Sequence, residues 1–261
     1  MYLISTFNFR QLISSCHCLT KLSVYHFIGS WEEKPRDLLR GILQNASTLK
    51  VLDLSKCESL SGNDIELIIK RCIKLTEANF GQMEHYSVSY LSRNLTASIE
   101  KLGLPGTNST NEDIKVLVPR CNKLKELDVS WTSVSLNGIL SDLIQHLSDK
   151  LEVLHISTSI SVLSQIMHQL GSLPKLRNIW AINEANPSDA GADLPNDFCT
   201  KWSRYCSNVA VSFYHCEDHI ASNPYLMTGT IWEIQCKGIQ FPWLYEDDEE
   251  DEEDLEEFYW P

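Results

Sequence analysis

A six-residue apolar pattern that returns seven times constrains this sequence more than any other feature. In its clearest copy Leu49, Leu52 and Leu54 occupy the first, fourth and sixth places, and Cys57 follows. The other copies begin at residues 19, 75, 99, 124, 151 and 176, so successive starts lie 30, 26, 24, 25, 27 and 25 residues apart. A single hexad arises by chance in any leucine-rich chain, whereas seven hexads in phase indicate a repeated structural unit.

Each repeat unit combines a strand with a helix. Residues 49–54 alternate apolar and polar side chains with a period of two, whereas residues 65–72 have helical spacing, with Asn63 or Asp64 placed to cap the helix. One strand and one helix in about 26 residues cannot close a core alone and must stack on copies of themselves. The sequence therefore predicts an α/β leucine-rich repeat solenoid with a parallel β-sheet on its concave face and helices on its convex face.

The helical halves are predicted from their apolar spacing and from the residues at their ends. We expect helices over residues 61–72, 110–121, 136–147 and 160–170, the first two closing on Cys72 and Cys121. Pro119 should end or bend the second of these helices, because proline lacks the backbone N–H. The cysteines at the repeat positions are expected to pack as small apolar side chains.

The chain divides into three parts by composition. Residues 1–185 hold the repeats, and residues 186–243 are predicted to form a degenerate closing repeat followed by a C-terminal segment that folds back on the solenoid. Within that part, residues 197–206 have helical spacing, and residues 209–214 and 228–236 alternate like extended chain. Residues 244–261 are predicted to be a disordered acidic tail.

The net charge of −13 comes almost entirely from that tail. Residues 246–257 hold 11 of the 35 acidic groups, and the remaining 24 nearly balance the 22 Lys and Arg residues. A block of like charge either solvates the chain or attracts a basic partner, and both interpretations stay open. The terminal aromatic residues Phe258, Tyr259 and Trp260 slightly favour docking, since exposed aromatics beside a charged run are otherwise unhelpful.

Cysteine content and the chain start bear on the cellular compartment. Nine cysteines are an odd number, and residues 1–5 lack the basic start and apolar run of a secretory leader. No apolar stretch approaches the roughly 18–20 residues of a membrane span. We therefore expect a protein of the nucleus or cytoplasm that does not bind membrane.

The residues between the hexad leucines are predicted to face the hollow of the solenoid, because successive side chains of a strand point to opposite faces. They form a mixed surface with a large aromatic residue at its C-terminal end, which favours protein binding over nucleic-acid binding. Gly103 lies at the same kind of position. The candidate protein-binding residues are Asp53, Ser55, Glu77, Asn79, Lys101, Glu126, Asp128, Ser130, His155, Ser157, Asn178 and Trp180, with Trp232 from the C-terminal segment.

Catalysis and metal binding have little support in the sequence. We find no glycine-rich phosphate loop, nucleophile elbow or His-Glu-x-x-His run, so we predict a non-enzyme without a cofactor. The adjacent Cys16, His17 and Cys18 lack the spacing that zinc sites favour. Cys199 and Cys206, seven residues apart on one helix face, also fit core packing. A better-spaced zinc alternative, kept open beside the prediction of no metal, comprises Cys199, Cys206, Cys216 and His219.

The pattern Leu49-x-x-Leu52-x-Leu54-x-x-Cys57, with Cys72 closing the following helix and Leu75 opening the next hexad, resembles the cysteine-containing repeat of F-box proteins of the leucine-rich class. The resemblance runs from about residue 19 to residue 236 and includes the segment 231–236. In that family such a segment turns back from the end of the solenoid along its concave side.

The resemblance implies a substrate-recognition subunit of an SCF-type ubiquitin ligase, acting in cell-cycle control. Family members bind a protein substrate through the C-terminal repeats; the substrate is phosphorylated in some cases, and a Cks-type accessory protein sometimes assists. The F-box that grips the Skp adaptor, and through it the cullin, has no counterpart of its length or pattern before Leu19. As given, the chain is expected to join the ligase only if an F-box is supplied upstream.

A second interpretation follows from the acidic tail, which lies outside the pattern of the F-box class. Leucine-rich repeats followed by an acidic run also resemble the acidic nuclear proteins that bind histones. The repeats of those proteins lack the cysteine that closes the helix at Cys72 and Cys121, and their tails are longer. The resemblance therefore favours the ligase subunit and keeps a binder of basic nuclear proteins as the alternative.

Overall fold

The computed structural model describes residues 16–24, 35–57, 60–83, 88–183, 198–215 and 231–234, which contain nine strands and seven helices. The strands are β1 (Lys21–Ser23), β2 (Val51–Asp53), β3 (Glu77–Asn79), β4 (Lys101–Gly103), β5 (Glu126–Val129), β6 (Val153–Ser157), β7 (Asn178–Asn183), β8 (Ala210–His215) and β9 (Ile231–Ile234). The helices are α1 (Pro35–Gln44), α2 (Gly62–Arg71), α3 (Val88–Asn94), α4 (Asn111–Arg120), α5 (Leu136–Leu147), α6 (Ile160–Leu170) and α7 (Phe198–Tyr205).

The nine strands form one sheet in the order in which they occur along the chain. Strands β1 to β8 are parallel, and β9 pairs antiparallel with β8. The fourth place of the hexad stays in register, so that Leu52 lies beside Ala78, which lies beside Leu102. Because every repeat adds one strand at the same register, the predicted α/β leucine-rich repeat solenoid is confirmed.

The core lies between the sheet and the helices. Leu52, Leu102 and Leu127 are almost fully buried at the centres of their strands, and in α2 the buried side chains are Ile65, Ile68 and Ile69. A helix with its side chains is about 10 Å wide, whereas neighbouring strands lie about 4.8 Å apart, so the helical layer needs more room for each repeat. The sheet therefore lines the concave side, and its outward side chains surround an open hollow.

The helix ends follow from capping residues, and one predicted cap is corrected. The N-cap of α2 is Ser61, not Asn63 or Asp64, because the Ser61 hydroxyl accepts the Asp64 N–H while the Asp64 carboxylate accepts the Ser61 N–H. Thr110 and Asp113 form the same capping box at α4. This reciprocal pairing satisfies two backbone donors that a helix start otherwise leaves open. Helix α4 ends at Arg120, one residue after Pro119, as predicted.

The repeat cysteines pack in the core as thiols. Cys57, Cys72 and Cys121 are fully buried, which confirms their predicted role as small apolar side chains. The Cys57 thiol also donates to the Val24 carbonyl, 2.8 Å away in the preceding repeat. Burial raises the pKa of the Cys72 and Cys121 thiols to about 11, so both are protonated and unreactive at neutral pH.

Beyond β7 the solenoid continues through α7 and β8. The Trp202 ring is buried against Phe198 at a centroid distance of 5.4 Å, and its indole N–H donates to the Val209 carbonyl. Strand β9 then lies extended along β8, as the alternating pattern predicts for residues 231–234. The predicted path of the C-terminal segment beyond this strand, and the predicted tail at residues 244–261, lie outside the described residues.

Candidate functional site

Strand register aligns the outward side chains of the concave face into two rows. The first residue of each strand forms one row, and the third residue forms the other. The first row runs Lys21, Val51, Glu77, Lys101, Glu126, Val153 and Asn178, and the second runs Ser23, Asp53, Asn79, Gly103, Asp128, His155 and Trp180.

Between strands β2 and β6 the two rows enclose a hollow of about 270 Å³. This volume is slightly below the range of about 300–1,000 Å³ that is usual for small-molecule and cofactor pockets. The hollow has room for several water molecules or for one long side chain. The hollow is lined by Val51, Leu52, Asp53, Glu77, Ala78, Asn79, Lys101, Leu102, Gly103, Glu126, Asp128 and His155.

Carboxylates at the ends of β2 and β5 fold back onto the chain that follows them. Asp128 Oδ1 accepts the Ser130 N–H at 3.0 Å and the Ser130 hydroxyl at 2.6 Å, and Asp53 makes the same two bonds to Ser55. Ser55 and Ser130 are only 3% and 4% exposed. The prediction that these two serines face the open hollow is therefore wrong, because the chain turns inward where each strand ends.

Asn79 uses the same turn, with its Oδ1 accepting the Gly81 N–H at 3.0 Å. An amide oxygen thus replaces the carboxylate oxygen in this turn without changing the backbone bond. Gly103 at the equivalent position has no side chain of its own. The Asn79 side chain leans over it, and a methyl group on Gly103 would lie 2.8 Å from Asn79 Oδ1.

A small ion-pair network crosses β4, β5 and β6. Lys101 Nζ lies 3.0 Å from Glu126 Oε2, and His155 Nε2 lies 3.8 Å from the other carboxylate oxygen of Glu126. The hydrogen bond and charge of Glu126 raise the pKa of Lys101. Glu77 forms no ion pair or hydrogen bond within the described residues, although its negative charge also acts on Lys101. The ammonium on this wall of the hollow is therefore already paired.

Asp128 is a partly exposed carboxylate at the wall of the hollow. Burial raises the pKa of the Asp128 carboxyl above its usual value of 3.8, against the opposing effects of nearby His155 and of the bonds from Ser130. Both of those bonds reach Oδ1, and the other oxygen has no donor among the described residues. A partly buried carboxylate with one oxygen unused favours a cationic neighbour.

The C-terminal end of the face is aromatic. The His155 and Trp180 rings stack with their centroids 5.7 Å apart and their planes 9° from parallel. Both rings are partly exposed, so they form a flat platform beside the acidic hollow. Aromatic side chains of this kind carry a large share of the binding energy at protein interfaces.

The structure brings eight of the predicted site residues into one continuous surface and separates others from it. Asp53, Glu77, Asn79, Lys101, Glu126, Asp128 and His155 line the hollow, and Trp180 adjoins it. Asn178 lies farther along the first row, and the Ser157 hydroxyl accepts the Trp131 N–H at 2.9 Å. The backbone of Trp232 lies in β9, and its side chain lies outside the described residues.

Sequence reasoning missed four residues of the two rows. Lys21 and Ser23 belong to the first repeat, and Val51 and Val153 are apolar members of the first row. Aligning every hexad at its fourth place finds all four, because Lys21 precedes Leu22 as Glu77 precedes Ala78. The two valines leave the polar surface flanked by apolar side chains at both ends.

The zinc alternative gains no support from the described residues. Cys206 is buried and its thiol donates to the Met167 carbonyl at 3.3 Å, which fits core packing. The Cys199 side chain, Cys216 and His219 lie outside the described residues. Within the described ranges, including Cys16 to Cys18, no three His, Cys, Asp or Glu side chains converge as metal ligands would.

No protein-family model matches the chain. Among solved structures, it is similar to an internalin (inlF) from Listeria monocytogenes, with 20% identity over 66% of this chain and a TM-score of 0.40. The chain spans 49% of that internalin. A second Listeria monocytogenes internalin, inlC2, has 18% identity over 72% of this chain and 80% of its own length, with a TM-score of 0.35. In the part of the chain that the structure describes, no helix is long and apolar enough to cross a membrane.

Proposed function

We propose that this protein is a substrate-recognition subunit of an SCF-type ubiquitin ligase and that it holds its protein substrate on the concave face. The observation that carries the proposal is the open sheet face, where charged side chains from β2 to β6 adjoin the His155–Trp180 platform. A receptor of this kind performs no chemistry, because it contributes proximity between a substrate lysine and a charged ubiquitin carrier.

The size and form of the hollow support a protein partner over a small molecule. The hollow is open, slightly below the usual volume of a small-molecule pocket, and continuous with a face seven strands long. A polypeptide laid across the strands could use the hollow, the platform and the flanking valines together. The solenoid thus offers the extended concave surface that repeat proteins use for binding.

The cysteine-containing repeat supports the ligase class in particular. The resemblance to the leucine-rich F-box class depends on the hexads followed by Cys57 and Cys72, both fully buried at repeat positions, and on the segment 231–236. The compartments expected for such a receptor are the nucleus and cytoplasm. Its Skp adaptor and cullin would be reached through an F-box supplied upstream, and a Cks-type accessory protein is a further candidate partner.

Two measurements test this function. Binding to the Skp adaptor is measured by pull-down with the coding sequence extended upstream of Met1, and we expect the extended chain to bind. Ubiquitin-remnant proteomics then compares cells expressing that chain with cells expressing its Trp180→Ala, Glu126→Ala variant, and we expect a small set of proteins to lose ubiquitin in the variant. Failure of the extended chain to bind the adaptor removes the ligase role.

A binder of basic nuclear proteins is the second candidate, favoured by the acidic tail together with the carboxylates around the hollow. Its test uses purified core histones and the chain with and without residues 246–257. Under this alternative, histone affinity falls steeply with added salt and is lost on deletion, because exposed charges are screened within about 10 Å at 0.1 M salt. Histone binding that survives both changes contradicts the alternative.

A further inference from the structure

We infer that the hollow above Gly103 receives a lysine or arginine side chain from the bound protein segment. This inference rests on the proposed protein-binding function and names the chemistry of the partner. The bound segment is therefore expected to be basic, whereas the family resemblance allows a phosphorylated segment.

The shape of the hollow is the first argument. Strands β3 and β5 flank β4 and lie two strand spacings, about 10 Å, apart. The Asn79 side chain leans over Gly103, which has no side chain of its own, and a methyl group there would press against Asn79 Oδ1. The hollow of about 270 Å³ around this position has room for one incoming side chain.

The balance of charge is the second argument. Four carboxylates line the hollow, from Asp53, Glu77, Glu126 and Asp128, against the single ammonium of Lys101. Glu126 already neutralises Lys101 at 3.0 Å, so three carboxylates face the hollow without a cationic partner in ion-pair contact among the described residues. An incoming phosphate would meet these carboxylates, whereas an ammonium or guanidinium group would complement them.

The unused oxygen of Asp128 is the third argument, independent of the number of acidic groups. Asp128 is partly exposed at the wall of the hollow, and both bonds from Ser130 end on Oδ1. Oδ2 has no hydrogen-bond donor in the described part of the chain. This oxygen is not among the fully buried side-chain oxygens of the described residues, so it stays accessible from the hollow and can accept a bond from a cationic N–H donor.

The experiment offers the protein cationic and anionic peptides in one library. The probe is a synthetic bead library of peptides of about ten residues, long enough to cross the seven strands from β1 to β7, with Lys, Arg, Glu and phosphoserine at random positions. The bait is the full chain with the eleven acidic residues of the 246–257 run changed to amides, because the tail would otherwise attract cations by itself. Selected peptides are then resynthesised, and their dissociation constants are measured at two salt concentrations.

We expect the selected peptides to share a Lys or Arg, and replacing it with norleucine or citrulline should abolish most of the affinity. Asp128→Asn should weaken binding about tenfold, and Glu77→Gln about threefold. Lys101→Gln should strengthen binding about threefold, because it releases Glu126 to the ligand. Gly103→Ala should weaken binding, because the added methyl group would displace the Asn79 side chain into the hollow. Glu112→Gln, which makes the same change of charge on exposed α4, is the matched control and should leave the affinity unchanged.

Two outcomes separate this inference from the function on which it rests. In the first, the library instead selects phosphoserine or Glu peptides, and Lys101→Gln abolishes their binding. That result overturns the site for a cationic side chain and leaves a protein-binding face intact. Peptides without charge preference, equally bound by the Asp128→Asn and Glu112→Gln variants, overturn it as well. If no peptide binds, both the inference and protein binding by the concave face fail. Circular dichroism of every variant confirms that a lost affinity is not a lost fold.

Discussion

Asp53 and Asp128 occupy the third place of equivalent strands and make the same turn, yet their surroundings differ. Each accepts the backbone N–H and the hydroxyl of the serine two residues later. Asp53 also lies 3.5 Å from the Ser23 hydroxyl in the preceding repeat. Asp128 instead lies among His155, Glu126 and the buried wall of the hollow, where burial raises its pKa.

The comparison teaches that a repeat determines backbone geometry, whereas its neighbours determine electrostatics. The local sequences Asp53-Leu-Ser55 and Asp128-Val-Ser130 are nearly the same. Of the residues that distinguish them, Ser23 and His155 lie on adjacent strands, roughly 25–30 positions away in the chain, and Glu126 lies on the same strand as Asp128. A binding function can therefore develop at one repeat while the same motif stays structural at another.

The largest expected effect tests whether the two repeats share an equivalent scaffold. Leu52→Ala and Leu127→Ala should each lower the free energy of unfolding by about 2–5 kcal/mol, because both leucines are fully buried and their loss leaves a cavity. Urea denaturation measures both. Similar losses establish that the two repeats are packed equally well. A loss below about 1 kcal/mol at only one site would show that the core is less tightly packed in that repeat.

Removing the whole side chain should separate the two aspartates. Asp53→Ala and Asp128→Ala each deprive a serine N–H and hydroxyl of their acceptor, which costs about 1–3 kcal/mol. The loss should be smaller for Asp128→Ala, since that change also removes an ionised group from a poorly hydrated site. Urea denaturation at pH 7 is the measurement. An equal or larger loss at Asp128 contradicts the unfavourable desolvation of its carboxylate.

Replacing each aspartate with asparagine should show that the stability of the protein depends on pH differently at the two sites. The folded-state pKa of Asp128 lies above 3.8, so the protonated carboxyl stabilises the fold, and this contribution is lost as the pH rises through the folded-state pKa. Asp128→Asn should therefore gain stability relative to the parent as the pH rises from about 3.8. Thermal unfolding from pH 3 to pH 7 measures this difference.

The turn itself should survive, as Asn79 makes the equivalent bond to Gly81. Asp53→Asn is the matched control, and no comparable gain with pH is expected there. A parent that becomes more stable than the Asp128→Asn variant on raising the pH would reverse the sign and refute the unfavourable burial of Asp128.

The smallest effect is expected at Lys101. Its ion pair with Glu126 spans 3.0 Å, but the Lys101 side chain is 51% exposed. Lys101→Gln should change the free energy of unfolding by at most about 0.5 kcal/mol, since solvent screens exposed pairs. Denaturation at low and high salt measures it. A loss above about 1 kcal/mol would mean that the pair supports the fold and is not a feature of the binding surface alone.

Much of the fold could be predicted because the leucine pattern is local and repeated. The alternation at Leu49, Leu52 and Leu54 gives the strand, and the phase shared by seven copies gives the parallel register. The helix cap at Ser61 was missed because Ser, Asn and Asp all suit that role, and only the bond to Asp64 distinguishes them.

The site could be predicted only in outline. The alternation correctly placed Glu77, Lys101 and Glu126 on the open face, because strand parity depends on sequence alone. It failed at Ser55 and Ser130, since the strands end before them and parity no longer applies. The partners of a concave residue belong to neighbouring repeats, and their side-chain geometry cannot be obtained from the spacing.

The buried thiols can report the order in which parts of the protein unfold. Cys57, Cys72, Cys121 and Cys206 occupy successive stretches of a chain in which each repeat touches only its neighbours. Because burial keeps the Cys72 and Cys121 sulfurs protonated, an alkylating reagent can modify them only when their own part of the coil opens. The order in which the labels appear would therefore reveal which end of the coil unwinds first.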